Sequence, residues 1–208
     1  MNPRTLLWIV LTVLYAGFFF WYTNTEGPLS DEEVQALLDR YSQNDEPATD
    51  LATLEHFMRS DTGNQFIMVN VLDLNENPTG VGEGKTAQEL LDHYMEYMYP
   101  ALFSRASHPI FVGQAVAPAM DLVGIEGAEN WDSGALMRYR SRRDILEIAN
   151  NPVFAERHDH KLAALTKTIA YPVEVQISLA DPRFHLALIL LIIGLILEKP
   201  MVKRTSEK

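Results

Sequence analysis

The chain has 208 residues, 47% of them hydrophobic and 22% charged, which indicates one folded domain with attachments and excludes a disordered protein. Seventeen basic and 28 acidic residues give a net charge of -11, which argues against nucleic acid as the main partner because phosphate binding needs a basic surface. The absence of cysteine excludes disulfides, thiolate nucleophiles and cysteine-ligated metal centres.

The N-terminal segment is predicted to be a membrane anchor over residues 1–23. Residues 6–22 (LLWIVLTVLYAGFFFWY) carry no charge and would span about 25 Å as a helix. Their aromatic end is typical of the interfacial belt of a membrane helix. The alternative is a cleaved signal peptide, because Arg4 precedes the apolar run as a basic residue does in such peptides.

After the anchor, residues 24–63 are predicted to form a helical spacer. Ser30 and Glu33 have the spacing of a capping box, which indicates a helix from there to about Tyr41. Residues 44–47 then break the pattern, and a second helix is expected over residues 48–59.

Residues 64–178 are predicted to be the main domain. Apolar runs indicate strands at residues 65–72, 109–117, 135–139 and 171–177. Helices are expected at residues 86–105, 141–149 and 152–169. This order is the β-α-β-β-α-β arrangement of an α+β, ferredoxin-like domain. Its helices cover one face of the sheet, so we expect a homodimer to cover the other.

Near the C-terminus, residues 184–197 (FHLALILLIIGLIL) are predicted to be a second transmembrane helix. They would span only about 21 Å, but they lack the polar face that a surface helix needs. A buried core helix or an oligomerisation tail is the alternative. Residues 198–208 follow as a basic tail.

The distribution of charge predicts the orientation. The tail has four basic and two acidic residues, whereas residues 24–183 have twelve basic and 26 acidic ones. Because positive flanks stay in the cytoplasm, both termini are predicted to be cytoplasmic. In a bacterium the main domain would then be periplasmic and the protein would lie in the inner membrane.

Several short motifs resemble an uncharacterised bacterial family of the dimeric α/β-barrel superfamily, across residues 65–178. They are Asn70-Val71-Leu72, the glycine-rich turn before Thr86, Glu126-Gly127, Trp131-Asp132, the arginine block at residues 138–143, Asn151-Pro152-x-Phe154 and His158-x-His160-Lys161. The resemblance implies two sheets packed face to face with a small cavity in each subunit. The superfamily includes cofactor-independent monooxygenases, isomerases, haem-binding enzymes and binding-only members, so this fold does not select a reaction.

The arginine block provides the strongest candidate for ligand binding. Arg138 and Arg140 lie two residues apart on a predicted strand and therefore share a face. Together they could clamp the carboxylate of a ligand. The alternative is a structural ion pair with Glu126, Asp132 or Glu174.

Other candidates lie outside this block. Glu126 is the candidate catalytic acid or base, since a carboxyl group in a cavity could have a raised pKa. Trp131 could wall a pocket. His93 and Tyr97 lie one helical turn apart and could line a cavity, although a packed helix face is the alternative.

Metal and nucleotide sites have weaker support. His158 and His160 are weak metal candidates because residues two apart on a helix do not share a face. No cofactor is predicted, and the binding of haem or a metal ion is left as an alternative. The segment TGVGEGKT at residues 79–86 resembles a phosphate-binding loop, but Thr79 occupies the position of the first glycine. It is interpreted as a flexible connection.

Three functional hypotheses follow. The first is a membrane-anchored, extracytoplasmic binding or accessory module for a small apolar or carboxylated ligand or for a membrane-protein partner. The second is a cofactor-independent oxygenase or isomerase acting on a lipid-like substrate, with Glu126 or a histidine as base. The third is a structural subunit of a membrane complex. The sequence does not decide whether the protein is an enzyme.

Overall fold

The computed structural model describes residues 1–42 and 50–206, with side chains as far as Lys199. The described chain forms two compact units. One comprises Met1–Thr25 and the segment from Gln176 onward, and the other is Glu26–Val175. The predicted helix break at residues 44–47 and the predicted helix start at residue 48 lie outside the described residues.

In the second unit two helices come first, and the four strands follow with helices between the first and second strands and between the third and fourth. The helices are α1 (Pro3–Tyr22), α2 (Asp31–Tyr41), α3 (Leu51–Arg59), α4 (Ala87–Phe103), α5 (Arg142–Ala149), α6 (Pro152–Ala163) and α7 (Pro182–Ser206). The strands are β1 (Phe66–Leu74), β2 (His108–Gln114), β3 (Ser133–Tyr139) and β4 (Leu165–Glu174).

The four strands form one sheet in the order β2-β3-β1-β4. Each strand is antiparallel to its neighbours. Helix α4 connects β1 to β2, while α5 and α6 connect β3 to β4. The predicted α+β, ferredoxin-like arrangement is therefore confirmed.

The boundary between α6 and β4 differs from the prediction. Helix α6 ends at Ala163 instead of residue 169, and β4 begins at Leu165. Thr168 pairs with Leu72 of β1. Thr166, Thr168 and Ile169 in this segment have β-branched side chains, which fit a pleated sheet better than a helix. Pairing with β1 thus extends the strand into residues that the sequence pattern assigned to the helix.

The second strand also ends earlier than predicted, at Gln114 instead of residue 117. The backbone N–H of Ala115 still donates to the carbonyl of Asp132, and that of Ala119 donates to the carbonyl of Glu129. Residues 115–132 therefore form a long connection between β2 and β3 that is closed by hydrogen bonds at its base.

One face of the sheet packs against the helices and forms the main core. Phe66 and Tyr139 lie opposite each other on β1 and β3, and their rings stack with centroids 5.2 Å apart. The other buried members of this cluster come from the helices. They are Tyr94, Met98, Leu102 and Ile148.

The opposite face of the sheet is apolar, and much of it is exposed in the single chain. Phe111, Ile169 and Tyr171 keep 55%, 36% and 48% of their surface accessible. The strand register places four further apolar side chains, all half-buried, on the same face. They are Ile67, Val69, Val71 and Leu136.

In the first unit, α1 and α7 pack together as antiparallel helices. Arg4 pairs with Glu198 at one end, with Nε 2.7 Å from the carboxylate. At the other end Arg183 donates to Thr23 at 3.0 Å. Gly194 lies directly against the indole of Trp8 between these two ends. Among the described residues, α1 alone is both long and apolar enough to cross a membrane.

Candidate functional site

Arg138 is fixed by its own chain. Its side chain is buried, with 3% of the residue surface accessible. Its Nε and Nη2 atoms lie 3.0 and 2.7 Å from Oε1 of Gln65, and Nη1 donates to the carbonyl of Ala106. These bonds connect β3 to the turn after α4.

Arg140 binds a carboxylate that belongs to the same chain. Its guanidinium donates to both oxygens of Asp144, at 3.0 and 2.7 Å, and Asp144 is itself buried. Ser141, the N-cap of α5, also donates to Asp144, at 2.7 Å. Arg140 thus forms a structural ion pair, but with an acid that was not among the predicted partners Glu126, Asp132 and Glu174.

The remaining arginines of the block fasten the helical spacer to the domain. Arg142 donates to the carbonyl of Phe57 and, at 2.8 Å, to Ser60, both on or beside α3. Arg143 binds Glu33 of α2 at 2.8 and 3.0 Å. This hydrogen bond lowers the pKa of Glu33 to about 2, with help from the N-cap backbone of Ser30. The predicted Ser30–Glu33 capping box is present in full.

Glu126 and Trp131 lie in the connection between β2 and β3. Glu126 is exposed there instead of lying in a cavity. Trp131 donates to the carbonyl of Ala128 at 2.8 Å, and Nζ of Lys167 lies 4.9 Å from the centre of its ring. Trp131 precedes β3, whereas Arg138 is near its end, about 23 Å away along an extended strand. The structure therefore does not bring these candidates together with Arg138.

The other histidine and tyrosine candidates meet where α4 packs against α6. The rings of His93 and His160 lie 4.5 Å apart across the two helices. Arg157 of α6 donates to Nδ1 of His93 at 2.8 Å and to Glu96 at 2.8 Å. Tyr97 instead donates its hydroxyl to the carbonyl of Ile148, at 3.0 Å.

The pair formed by His93 and His160 is poorly suited to a metal ion. Nδ1 of His93 already accepts from Arg157, whose positive charge would repel a cation. Burial, followed by the charges of Arg157 and His160, lowers the pKa of His93. Within residues 1–42 and 50–199, no group of three or more potential ligands lies close enough to hold a metal.

A different set of side chains on the same two helices has the features of a binding site. We call Tyr94, Phe154, His158 and Lys161 the Lys161 cluster. The ring of His158 stacks on Phe154 at 5.1 Å and meets the edge of Tyr94 at 6.3 Å. Nζ of Lys161 lies 5.7 Å from the centre of the Tyr94 ring.

Two polar groups of this cluster have no bonded partner. Among the described residues, neither the imidazole of His158 nor the ammonium of Lys161 makes a hydrogen bond or an ion pair. Both side chains are half-buried. Burial lowers the pKa of each group, and the charge of Lys161 further lowers that of His158. Such groups are commonly found where a protein binds or transforms a ligand.

Of this cluster only His158 was a predicted site residue, although Phe154 and Lys161 also lie in motifs that carry the family resemblance. Phe154, His158 and Lys161 are spaced four and three residues apart, so they share one face of α6. That spacing is visible in the sequence. The contribution of Tyr94 could not be predicted from the sequence, because it depends on how α4 packs against α6.

The glycine-rich segment at residues 79–86 connects β1 to α4, as predicted. Gly80–Gly82 forms a short 3-10 turn, and Thr86 caps α4 with a complete capping box to Glu89. It borders a cleft of about 420 Å³. The charged side chains that line the cleft are Asp73, Glu76, Lys85 and Asp132.

Comparison with known proteins identifies the fold. No protein-family model matches the chain, and neither does any curated protein. A protein of unknown function from Rhodopseudomonas palustris is 19% identical, with a TM-score of 0.54 over 62% of this chain and 96% of that one. At this identity the likeness shows a shared fold alone.

Two further solved structures have lower TM-scores and support no argument about function. A cofactor-independent oxygenase from Streptomyces nogalater is 10% identical over 57% of this chain and 99% of that one, with a TM-score of 0.35. A dimeric protein of unknown function with a ferredoxin-like fold, from Bacteroides fragilis, is 11% identical over 53% and 96%, with a TM-score of 0.33.

Proposed function

We propose that the protein is a membrane-tethered module that binds a small amphipathic molecule bearing a carboxylate. The observation that carries this proposal is the Lys161 cluster, where an unpaired ammonium and an unpaired imidazole lie against two aromatic rings. The arginines of residues 138–143 are less suitable, because those described above already bind groups of their own chain.

The physical basis is the match between this cluster and an aromatic or aliphatic acid. The carboxylate would accept from Lys161 and His158, and the apolar part would pack on Tyr94 and Phe154. A hydrogen bond to a charged group contributes about 1.5–3 kcal/mol when partly shielded from water. That range corresponds to an affinity ratio of about 10- to 150-fold.

The test is titration of the full chain, in detergent, with phenylacetate and with its neutral amide. We expect phenylacetate to bind at least about tenfold more tightly than phenylacetamide. Lys161→Met should remove this preference for the charged form. Lys85→Met is the matched control, because Lys85 is an exposed lysine outside the cluster. Equal binding of acid and amide to the unaltered chain would contradict the proposal, whatever the variants do.

An enzymatic function is the second candidate, and the state of His158 favours it. Because its pKa is lowered and its ring nitrogens have no partner among the described residues, it could accept a proton at neutral pH. In a cofactor-independent oxygenase or isomerase, His158 instead of Glu126 would be the base. Slow conversion of a bound ligand that is abolished by His158→Gln would support this function over simple binding.

The exposed apolar face of the sheet supports a homodimer. Its side chains come from all four strands, and a face of this kind is normally covered in a folded assembly. A second copy would cover it in the way expected from the sequence, with the two sheets face to face. The role of a structural subunit would require another protein on this face instead.

For localisation we propose that α1 and α7 both cross the bacterial inner membrane, with the termini in the cytoplasm and the main domain in the periplasm. The polar contacts of Arg4 with Glu198 and of Arg183 with Thr23 lie at opposite ends of the helix pair. Between Arg4 and Thr23, α1 rises about 28 Å, close to the thickness of the hydrocarbon layer.

The absence of cysteine makes this topology directly testable. Asn2→Cys would mark the N-terminus, and Ser104→Cys would mark the exposed end of α4. In intact spheroplasts we expect an impermeant maleimide to label Ser104→Cys and to label Asn2→Cys only after the membrane is opened. Labelling of Asn2→Cys from outside, or protection of Ser104→Cys, would contradict the proposed orientation.

A further inference from the structure

The environment of Lys161 differs from that of other lysines in the same unit. Lys85 is exposed on the connection before α4. Lys167 donates to the carbonyl of Gly127 and lies 3.8 Å from Asp73. Lys161 is half-buried over the ring of Tyr94 and has neither a hydrogen bond nor an ion pair with a described residue.

The amine is nevertheless reachable from solvent. In the described part of the chain, every side-chain nitrogen or oxygen that is fully buried has a hydrogen-bond partner. Since Nζ of Lys161 has none, it is not fully buried.

A lysine in such surroundings is suited to act as a nucleophile. Partial burial disfavours the charged ammonium and therefore lowers the pKa of Lys161. A lowered pKa increases the fraction of free amine at neutral pH. No described residue donates a hydrogen bond that would occupy the lone pair of the amine.

We propose that Lys161 forms an imine with the carbonyl group of a 2-oxo acid that carries an apolar side chain. This inference rests on the binding site proposed above and specifies the class of carboxylated ligand. The carbonyl carbon would meet Nζ, and the apolar group would lie on Tyr94 and Phe154. His158, one turn before Lys161 on the same face of α6, would lie beside the reacting atoms.

The reaction needs no further reagent. The Nζ lone pair attacks the carbonyl carbon, so a C–N bond forms, the π bond of the carbonyl breaks, and the first of the two amine protons passes through His158 to the oxygen. The second amine proton then passes through His158 to the resulting hydroxyl group, the C–O bond breaks so that water leaves, and the nitrogen lone pair forms the C=N bond. The products are one imine and one water molecule, and His158 returns to its starting state.

The experiment traps this imine on the full chain with phenylpyruvate and sodium cyanoborohydride. The reductant converts an imine to a stable secondary amine, which peptide mapping by mass spectrometry assigns to individual lysines. We expect the adduct on Lys161 to form several-fold faster than on Lys85 or Lys167 of the same molecules, because Lys161 alone of the three is half-buried against an aromatic ring without a hydrogen bond or ion pair to a described residue. Because these controls are internal, the comparison does not depend on whether a lysine variant folds.

A pair of variants tests the role of His158. His158→Gln should slow the Lys161 adduct several-fold and leave the Lys85 adduct unchanged, whereas His160→Gln should leave both unchanged. Equal slowing by the two variants would contradict proton transfer by His158.

The experiments distinguish a failure of the imine proposal from a failure of the proposed binding function. Adduct formation on Lys161 at the rate of Lys85 or slower would overturn the imine. If the chain still bound phenylacetate more tightly than phenylacetamide, the proposed binding function would stand without the imine. Loss of both results would overturn both proposals.

Discussion

At the scale of single residues, the contacts of the arginines at residues 138–143 lead to a measurable prediction. Arg142 reaches α3 and lies 3.5 Å from Asp61, whose side chain is only 2% accessible. Removing the arginine leaves that carboxylate with less compensation for its burial. Breaking a buried pair in this way costs about 3 kcal/mol.

Arg142→Met should therefore lower the free energy of unfolding by about 3 kcal/mol, as measured by denaturant titration of the full chain in detergent. Arg59→Met is the matched control, because Arg59 forms an exposed pair with Glu55 and its loss should cost under about 1 kcal/mol. Similar losses for the two variants would show that Arg142 does not fasten the spacer.

The same arginines show which contacts of single residues can be predicted from the sequence. Their number and spacing indicated ion pairs, but the partners depend on the packing of elements far apart in the chain. Arg143 binds Glu33, 110 residues earlier. Arg140 binds Asp144, four residues later. The second partner is visible in the sequence only once a strand is known to end at Tyr139 and a helix to begin at Arg142.

At the scale of elements, Gly82 explains how the glycine-rich connection fits against α4. A Cβ atom at this position would lie 2.7 Å from Cβ of Pro78 and 2.8 Å from Cδ1 of Leu90. Leu90 is fully buried, so it has little room to move. The glycine is required here by close packing instead of by phosphate binding.

Gly82→Ala should destabilise the domain by about 1–3 kcal/mol through overpacking. At Gly134 on β3, an added Cβ would meet the carbonyl oxygen of Asn70 at 3.8 Å, an ordinary contact distance. Gly134→Ala should therefore change the free energy of unfolding by less than about 0.5 kcal/mol. Thermal unfolding followed by circular dichroism compares the two, and a tolerated Gly82→Ala would contradict the packing argument.

Element boundaries were predictable where a local signal determines them. The capping boxes that begin α2 and α4 involve residues three apart, so the chain itself carries the information. The end of α6 has no such signal. It depends on β1, which extends to Leu74 and draws Leu165 and the residues after it into the sheet.

At the scale of the whole molecule, the order of elements was enough to predict the fold and an uncovered sheet face. Strand order and register follow from that arrangement once the antiparallel pairs are known. The candidate site was less predictable. His93, His158 and His160 were recognised one by one, whereas the Lys161 cluster exists only because α4 and α6 pack side by side.

The most direct measurement of the central claim is native mass spectrometry of the full chain, released gently from membranes. We predict a dimer that carries a small molecule, which is identified after denaturation. Lys161→Met should give the same dimer without this molecule, and Lys85→Met should retain it. A monomer, a dimer that carries no small molecule, or a molecule retained equally in Lys161→Met would contradict a homodimeric module that binds its ligand at Lys161.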